Sequence, residues 1–218
     1  MLCRCYFDPH AQSVTQYTGH DQTTVLRAAT SVGDVIVKIL RSPERHEQEL
    51  HAYRQWVPAV AERAPQLLAE IDEPPAIIVT ALTGRPVTEL DLTNEQQQHA
   101  YQQAGALLRA WHDAEPPRDT PNMAAWLANR GERWLDLAQD ILPTDERADI
   151  RAHLRDLATL GPIPAVPCHL DFTPRNLIYD TADTIHVIDF EHSRFDLAAR
   201  DLVRLTPRPH RAPGPAHR

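Results

Sequence analysis

Residues 168–191 read C-H-L-D-F-T-P-R-N-L-I-Y-D-T-A-D-T-I-H-V-I-D-F-E, and this stretch decides the fold. Asp171 is followed five positions later by Asn176, then by two short apolar runs with a turn between them, and Asp189 ends the second run. The pattern predicts a loop, a pair of strands and an acid where the second strand ends. A phosphoryl-transfer site needs a carboxylate near the attacking hydroxyl, and an amide plus a second carboxylate on magnesium.

The first 82 residues are predicted to form a small lobe of mixed strand and helix. Apolar and β-branched runs mark the strands, and Pro43 stands where the helix should begin. The predicted order is strand, strand, helix, strand, at residues 23–28, 34–40, 44–57 and 76–81.

Lys38 is the only lysine of the chain, and it lies in the middle of the apolar run V-I-V-K-I-L. A buried ammonium requires an anionic partner, so Lys38 is a candidate phosphate ligand. The alternative is an edge lysine that points to solvent. Glu44, Glu47 and Glu49 of the following predicted helix offer a carboxylate for an ion pair.

After the turn L-T-G-R-P at residues 82–86, the composition becomes helical. Thr93 and Gln96 form a capping-box pattern at the start of a helix that should end near His112. Further helices are predicted at residues 123–141, 145–160 and from 198 to 205. The last thirteen residues are proline-rich and basic, which predicts disorder. The predicted organisation is a lobe at 1–82, a helical lobe at 83–205 and a tail at 206–218.

Composition limits the classes of function. The 218 residues carry a formal net charge of −8, which argues against a general nucleic-acid binder. An acidic surface suits a cationic small substrate, although solubility explains it equally well. No apolar stretch approaches the ~18 residues needed to cross a bilayer, and the N-terminus lacks the apolar core of a signal peptide, so a cytoplasmic protein is expected.

The motif H-x-D-x-x-x-x-N at residues 169–176, followed by D-F at 189–190, resembles the catalytic and metal segments of the protein-kinase-like fold. In detail it resembles the aminoglycoside phosphotransferase and choline kinase branch. The segment Q-Q-A-G-A-L-L-R-A-W-H, residues 102–112, is similar to the first long helix of that family. The resemblance implies an α+β, two-lobed fold with a small antiparallel-sheet N-lobe and a mainly helical C-lobe.

The resemblance also implies roles for individual residues. Asp171 would accept or orient the proton of the acceptor hydroxyl, and Asn176 and Asp189 would bind Mg²⁺. The nucleotide, ATP or GTP, would be held by an ion-paired lysine and by main-chain atoms of the connecting strand: Lys38, Glu49, Thr80 and Leu82. Glu49 fits the family pattern best as the partner of the lysine, and Glu47 is the alternative.

Four further residues have either two possible roles or a structural role alone. His169 is expected to brace the loop rather than transfer a proton. Arg175 would contact a phosphate or form a salt bridge, and Glu191 would approach a second metal or a cationic substrate, or else cap a turn. Asp201 matches an aspartate that braces the catalytic loop from the next helix.

Two features depart from the family pattern. Leu170 replaces the usual glycine or asparagine beside Asp171, and the helices that usually follow the segment of Asp201 are missing from the sequence. The second departure would leave the acceptor pocket to be completed by other means, such as a partner chain, or would impair activity. Whether the chain is a monomer or a homodimer stays open.

The leading hypothesis is a kinase that transfers the γ-phosphate of ATP or GTP to a hydroxyl of an aminoglycoside-like compound, another antibiotic or an amino alcohol. Antibiotic resistance would follow from the resemblance alone. The rival is a nucleotide-binding scaffold with the same fold and impaired catalysis. A protein kinase is disfavoured because the chain lacks a G-x-G-x-x-G loop and an A-P-E segment.

Overall fold

The computed structural model describes residues 2–18 and 23–205. The predicted disorder of residues 206–218 lies outside the described residues. The chain divides into two compact units, Met1–Glu115 together with Pro167–Arg218, and Pro116–Val166. The lobe boundary near residue 82 stays a prediction. Among the described helices, none combines the length and the apolar character needed to span a membrane.

The elements follow one another as an α+β chain. Six helices occupy α1 (Leu2–Tyr6), α2 (Pro43–Gln55), α3 (Asn94–His112), α4 (Met123–Leu137), α5 (Thr144–Ala158) and α6 (Ala199–Leu205) of the described residues. The strands are β1 (Gln12–Thr18), β2 (Thr24–Thr30), β3 (Gly33–Ile39), β4 (Leu67–Ile71), β5 (Ala76–Thr80), β6 (Arg85–Pro86), β7 (Arg118–Thr120), β8 (Ile163–Cys168), β9 (Leu177–Tyr179), β10 (Ile185–Val187) and β11 (Arg194–Asp196).

An antiparallel sheet of five strands, in the order β1-β2-β3-β5-β4, dominates the first part of the larger unit. Side chains alternate between the two faces of a strand, so β3 contributes side chains to two hydrophobic cores. Val35 and Val37 pack with Cys3 of α1, whereas Ile36 packs against the cluster that contains Tyr53 of α2. Lys38 shares the parity of Ile36 and is therefore directed to the side of α2.

The two long helices of the larger unit begin at side-chain caps. Ser42 accepts a hydrogen bond from the amide of Arg45 at the start of α2, and Pro43 stands at its first position. The predicted capping box of α3 is confirmed, since Thr93 and Gln96 exchange hydrogen bonds with each other's backbone. Helix α3 ends at His112, as the apolar spacing predicts.

Strands β9 and β10 form the hairpin that the opening stretch predicts, with Leu177 opposite Val187 and Tyr179 opposite Ile185. Strand β6 pairs with the other edge of β9. Gly84, directly before β6, has a φ of +114°, and a Cβ at this position would lie 2.4 Å from the carbonyl oxygen of Tyr179. A glycine is therefore required where the chain enters this small sheet.

The unit Pro116–Val166 is built around the helical pair α4 and α5. Gly131 of α4 faces Leu154 of α5 closely, because an added Cβ would lie 2.4 Å from Cδ2 of the leucine. Arg151 donates to both Glu132, at 3.1 Å, and Asp136, at 2.9 Å, across the pair. Strands β7 and β8 pair antiparallel within the unit, with Thr120 opposite Ile163. The sequence pattern extends α4 to residue 141, but the helix ends at Leu137.

Candidate active site

Lys38 lies at the centre of a cluster of three carboxylates. Its Nζ is 2.9 Å from Glu49 Oε2, 2.5 Å from Asp189 Oδ1 and 3.1 Å from Glu191 Oε2. Lys38 is only 8% exposed, which excludes the alternative of an edge lysine directed to solvent. Of the helix glutamates, Glu49 is the partner of Lys38, because Glu49 is buried while Glu47 is exposed.

The imbalance of one ammonium and three carboxylates shifts the pKa values in the cluster. Burial alone would lower the pKa of Lys38, but the attraction of Glu49, Asp189 and Glu191 outweighs it and holds the pKa well above its usual value. Burial raises the pKa of Glu49 to about 7, since Lys38 compensates this effect only in part. Burial would also raise the pKa of Asp189, yet the neighbouring Lys38 brings it below the ordinary value.

Helix α2 contacts the segment after Asp189 at a second point. Arg45 Nη1 donates to the carbonyl oxygen of Glu191 at 3.1 Å and lies 3.0 Å from His192 Nδ1. Lys38, which is bonded to Glu49 of the same helix, makes the first connection. The two contacts together fix the helix relative to the acidic segment. Glu191 thus contributes its carboxylate to Lys38.

Asp171 is 3% exposed and receives three side-chain donors. Arg175 Nη2 lies 2.7 Å and Asn176 Nδ2 lies 2.9 Å from its Oδ2, while Arg204 Nη1 of α6 lies 3.2 Å from its Oδ1. For Arg175 the structure contains the salt bridge, one of its two predicted interactions. No local sequence pattern marks Arg204 or Arg45, because their contacts span 33 and 146 residues.

The loop that carries Asp171 is braced by two buried side chains. Asp201 is fully buried and accepts the amides of His169 and Leu170 at 2.9 and 2.6 Å, and His112 Nε2 lies 3.0 Å from it. The predicted bracing by Asp201 is confirmed. His169 donates from Nε2 to the carbonyl of Ile188 at 3.0 Å and accepts the amide of Asp171 on Nδ1 at 3.3 Å.

These two contacts of His169 require a neutral imidazole, because one ring nitrogen donates and the other accepts. Burial lowers the pKa of His169 in agreement with this protonation state. His169 therefore holds the loop in place, as expected, and has no free proton to transfer in this arrangement.

Leu170 and Asp189, both at the candidate site, occupy the left-handed region of backbone conformation. Leu170 has a φ of +61° and Asp189 a φ of +73°. Glycine and asparagine adopt such angles more easily than leucine does, which gives a physical reason for the family preference beside Asp171. At Asp189 the left-handed angle turns the chain between β10 and Phe190, so that the carboxylate meets Lys38.

Phe190, which follows Asp189, is completely buried. Its ring stacks on Trp111 of α3 at 4.9 Å between centroids, and it meets Tyr53 of α2 and His169 edge-on at 5.1 and 5.5 Å. Aromatic pairs at such distances add to the stabilisation from burial. Phe190 thus joins both helices to the loop and sets the position of the preceding carboxylate.

The donor atoms of Asn176 and Asp189 suit a magnesium ion. Asn176 Nδ2 is bonded to the carbonyl and to Oδ2 of Asp171, both at 2.9 Å, which leaves its Oδ1 as an acceptor. Asp189 uses Oδ1 for Lys38, and its second oxygen is a hard donor of the kind that Mg²⁺ prefers. Ligand atoms of Glu49, Asp189 and Glu191 lie within 4.8 Å of one another.

Thr80 and Leu82 lie at the end of β5 and just beyond it. The amide of Thr80 donates to Gln66 at 3.0 Å, and the amide of Ala81 donates to Asp34 at 3.0 Å. These bonds fix the start of the connection between β5 and β6, where Leu82 is half-buried. The role of this backbone in nucleotide binding stays a prediction.

A lysine in a five-stranded antiparallel sheet, paired with a helix glutamate and with the acid of a D-F segment, defines the protein-kinase-like class of phosphotransferases. The chain belongs to the APH phosphotransferase enzyme family, whose family model matches residues 13–216. It is therefore a phosphotransferase with a hydroxyl group as the acceptor. No curated protein matches the chain at a significant level.

Solved structures with the same fold are distant in sequence. Aminoglycoside phosphotransferase APH(4)-Ia superposes with a TM-score of 0.67 at 13% identity, over 92% of this chain and 73% of that chain. Spectinomycin phosphotransferase APH(9)-Ia, in complex with ADP and spectinomycin, gives 0.64 at 16% identity, over 93% and 70%. Choline kinase from Cryptosporidium parvum Iowa II gives 0.60 at 15% identity, over 94% and 66%. The predicted α+β, protein-kinase-like fold class is confirmed.

Proposed function

We propose that the chain transfers the γ-phosphate of ATP or GTP, bound with Mg²⁺, to a hydroxyl group of a small molecule. One observation carries this proposal: Lys38 and Asp189 are joined at 2.5 Å although they lie 151 residues apart in the sequence. In the same unit, Asn176 Nδ2 donates a hydrogen bond to the carboxylate of Asp171. A cation for phosphates, two metal ligands and a carboxylate for the hydroxyl are the groups that phosphoryl transfer needs.

The residues have separate tasks in this proposal. Lys38 binds the α- and β-phosphates, with Glu49 holding its ammonium in position. Asn176 Oδ1 and Asp189 hold Mg²⁺, which when bound neutralises charge on the phosphate oxygens. The backbone of Thr80 and Leu82 holds the base. Asp171 accepts or orients the proton of the acceptor hydroxyl, so that its oxygen can attack the γ-phosphorus.

The chemical class of the acceptor is a further part of the proposal. Structures of related fold bear the names of aminoglycoside and spectinomycin phosphotransferases and of a choline kinase. An aminoglycoside-like compound, another antibiotic or an amino alcohol is therefore the first class to test, and antibiotic resistance is the biological role to test with it. We place the protein in the cytoplasm, and its three free cysteines are compatible with a reducing compartment.

The decisive test is Asp171→Asn in a phosphoryl-transfer assay against a panel of aminoglycosides, nucleoside antibiotics, macrolides and choline-like alcohols. We expect transfer to fall by about 10² to 10⁴, the range of general-base catalysis, while nucleotide affinity changes by no more than a few-fold. Asp72→Asn, at an exposed turn residue, makes the same change of charge and should leave transfer unchanged. Normal turnover by the Asp171 variant would exclude this residue as the base.

The rival proposal, a nucleotide-binding protein without catalysis, predicts a different result in the same assay. It requires Mg²⁺-dependent nucleotide binding in the wild type and no product with any acceptor. The match to a family of phosphotransferase enzymes over residues 13–216 favours the enzyme.

A further inference from the structure

Arg204 of α6 contacts the carboxylate that the proposed reaction uses. Its Nη1 lies 3.2 Å from Asp171 Oδ1, whereas Arg175 and Asn176 both donate to Oδ2. Within residues 2–18 and 23–205, Arg204 is the side chain that the structure puts on Oδ1. One oxygen of the carboxylate is therefore engaged from within its own loop and the other from helix α6.

The contacts on Oδ2 and on Oδ1 differ in origin. Arg175 and Asn176 lie within the same short loop as Asp171, so their bonds form with the loop itself. Arg204 reaches the carboxylate from 33 residues away, and its helix has an attachment of its own, since Arg200 forms an ion pair with Asp196. The bond to Oδ1 can open while the loop and α6 keep their other contacts.

Arg204 can also leave the carboxylate of Asp171 at a small cost in free energy. About half of its side chain is exposed, at 53%, so that its guanidinium is readily hydrated once it is released. Ion pairs of this exposure contribute little to stability. Asp171 itself is 4% exposed in its side chain, and a displaced Arg204 leaves Oδ1 in need of a new donor.

We propose that Arg204 is a positioning residue that occupies Asp171 Oδ1 until an acceptor displaces it, and that it thereby selects the acceptor over water. The inference rests on the proposed function. In the transfer, the acceptor oxygen forms a bond to the γ-phosphorus, the bond from this phosphorus to the bridging oxygen breaks, and the hydroxyl proton passes to Asp171. With water in place of the acceptor, the same exchange yields the nucleoside diphosphate and inorganic phosphate.

Charge balance gives the reason for the selection. Water is neutral, so water at Oδ1 replaces a charge-assisted hydrogen bond by a weaker one. An acceptor with an ammonium group next to its hydroxyl brings a cation to the carboxylate and compensates for the loss of Arg204. The arginine thus disfavours water more than it disfavours such an acceptor.

The test needs no acceptor, because it measures hydrolysis of Mg·ATP and Mg·GTP by the full chain. We expect Arg204→Gln to raise acceptor-free hydrolysis about fivefold over wild type, which corresponds to ~1 kcal/mol for an exposed ion pair. Arg204→Lys keeps a cation at Oδ1 and should stay near wild type. Arg200→Gln is the matched control, since this arginine of the same helix contacts Asp196 instead of Asp171.

Two further measurements separate this role from a structural one. The double variant Arg204→Gln with Asp171→Asn should hydrolyse nucleotide no faster than wild type, because attack by water depends on the carboxylate of Asp171. Free guanidinium at millimolar concentration, compared with sodium at equal ionic strength, should suppress the excess hydrolysis of Arg204→Gln. Thermal unfolding verifies that each variant is folded, and Arg204→Ala replaces the glutamine variant if that one unfolds.

Unchanged or lower hydrolysis in folded Arg204→Gln, or in Arg204→Ala where that variant replaces it, would overturn the inference, as would an equal increase in Arg200→Gln. Failure of the proposed function has another signature, namely wild-type protein that transfers phosphate to no acceptor of the panel. Phosphate transfer by the wild type, together with unchanged hydrolysis in Arg204→Gln, would support the proposed function. The same result would exclude the proposed role of Arg204 in selecting the acceptor over water.

Discussion

At the scale of single residues, the site is governed by the shortage of positive charge around Lys38. Glu49 is 1% exposed and shares one ammonium with Asp189 and Glu191. Desolvation of a carboxylate outweighs its share of this attraction, and the result is the pKa of about 7. Asp189 has the shortest contact to Lys38 and a lowered pKa. The ammonium thus keeps the carboxylate nearest to it ionised and leaves the most buried one easiest to protonate.

Glu49→Gln tests this charge distribution through the pH dependence of stability in the metal-free protein. The pKa of Glu49 rises from 4.5 to about 7 on folding, so the folded state binds more protons than the unfolded state between these pH values. The contribution of Glu49 to stability is therefore fully present below pH 4.5 and lost as pH rises through 7. We expect the free energy of unfolding of wild type, relative to Glu49→Gln, to fall by on the order of 2 kcal/mol across this window.

Urea unfolding at several pH values measures this difference. Glu47→Gln is the control, because Glu47 lies on the same helix and is exposed. Parallel pH curves for wild type and Glu49→Gln would contradict the raised pKa.

Leu170 illustrates how two residue-scale effects compete. A non-glycine residue in the left-handed region costs about 1–3 kcal/mol, whereas burial of a leucine side chain stabilises by about 1.5–3 kcal/mol. Leu170 is 6% exposed, so burial offsets the strain. The amide of Leu170 also donates to Asp201. Leu170 is therefore accommodated in the loop by its buried side chain and by this hydrogen bond.

At the scale of elements, Gly84→Ala should disrupt the sheet of β6, β9 and β10. A new Cβ would meet the backbone of Tyr179 at 2.4 Å, and φ of +114° is unfavourable for alanine. Backbone atoms of a paired strand cannot move aside, so we expect a loss of about 2–4 kcal/mol in the free energy of unfolding. Gly105→Ala, at an exposed position of helix α3 with open space around it, should instead stabilise by about 0.5–1 kcal/mol. Denaturant unfolding of both variants measures the two changes in the free energy of unfolding, which should have opposite signs. Changes of equal sign would argue against the close approach at Gly84.

The elements that sequence patterns predict are the ones with strong burial. Strands β3 and β5 are buried, apolar runs, and both were predicted within two residues of their bounds. Strands β1 and β4 were not predicted, because they are the edges of the sheet and carry polar residues such as Gln16 and Glu70. An edge strand obtains its stability from backbone pairing with a neighbour, and this pairing leaves little trace in its side chains.

At the scale of the whole molecule, the predictable part of the site is the part encoded by local motifs. Asp171, Asn176 and Asp189 lie within 19 residues and were found together. Lys38 was found because one charge interrupts an apolar strand. Arg45 and Arg204 were missed, since their positions on helix surfaces look like ordinary solvated charges. Only the fold brings their guanidinium groups to the acidic segment and the loop.

A ligand bound at the proposed nucleotide site should stabilise the folded chain. All the residues assigned to nucleotide and metal belong to the unit of Met1–Glu115 with Pro167–Arg218. A ligand that binds only the folded state stabilises it by ~2.7 kcal/mol at 100 times its dissociation constant. Mg·ATP should therefore raise the Tm of this unit, and a chelator should remove most of the increase.

Asp189→Asn tests the metal assignment in the same thermal measurement. The variant loses a carboxylate oxygen that Mg²⁺ favours, so we expect the Tm shift with ATP to be equal with and without magnesium. The shift within each variant is the quantity to compare, because Asp189→Asn also relieves the excess of carboxylates around Lys38 and changes the ligand-free Tm. Asp72→Asn should keep the full magnesium dependence. A magnesium-dependent Tm shift that survives in both Asp189→Asn and Asn176→Ala would show that the ion binds elsewhere. If the two units unfold separately, only the unfolding transition of the unit with Lys38 should shift with Mg·ATP.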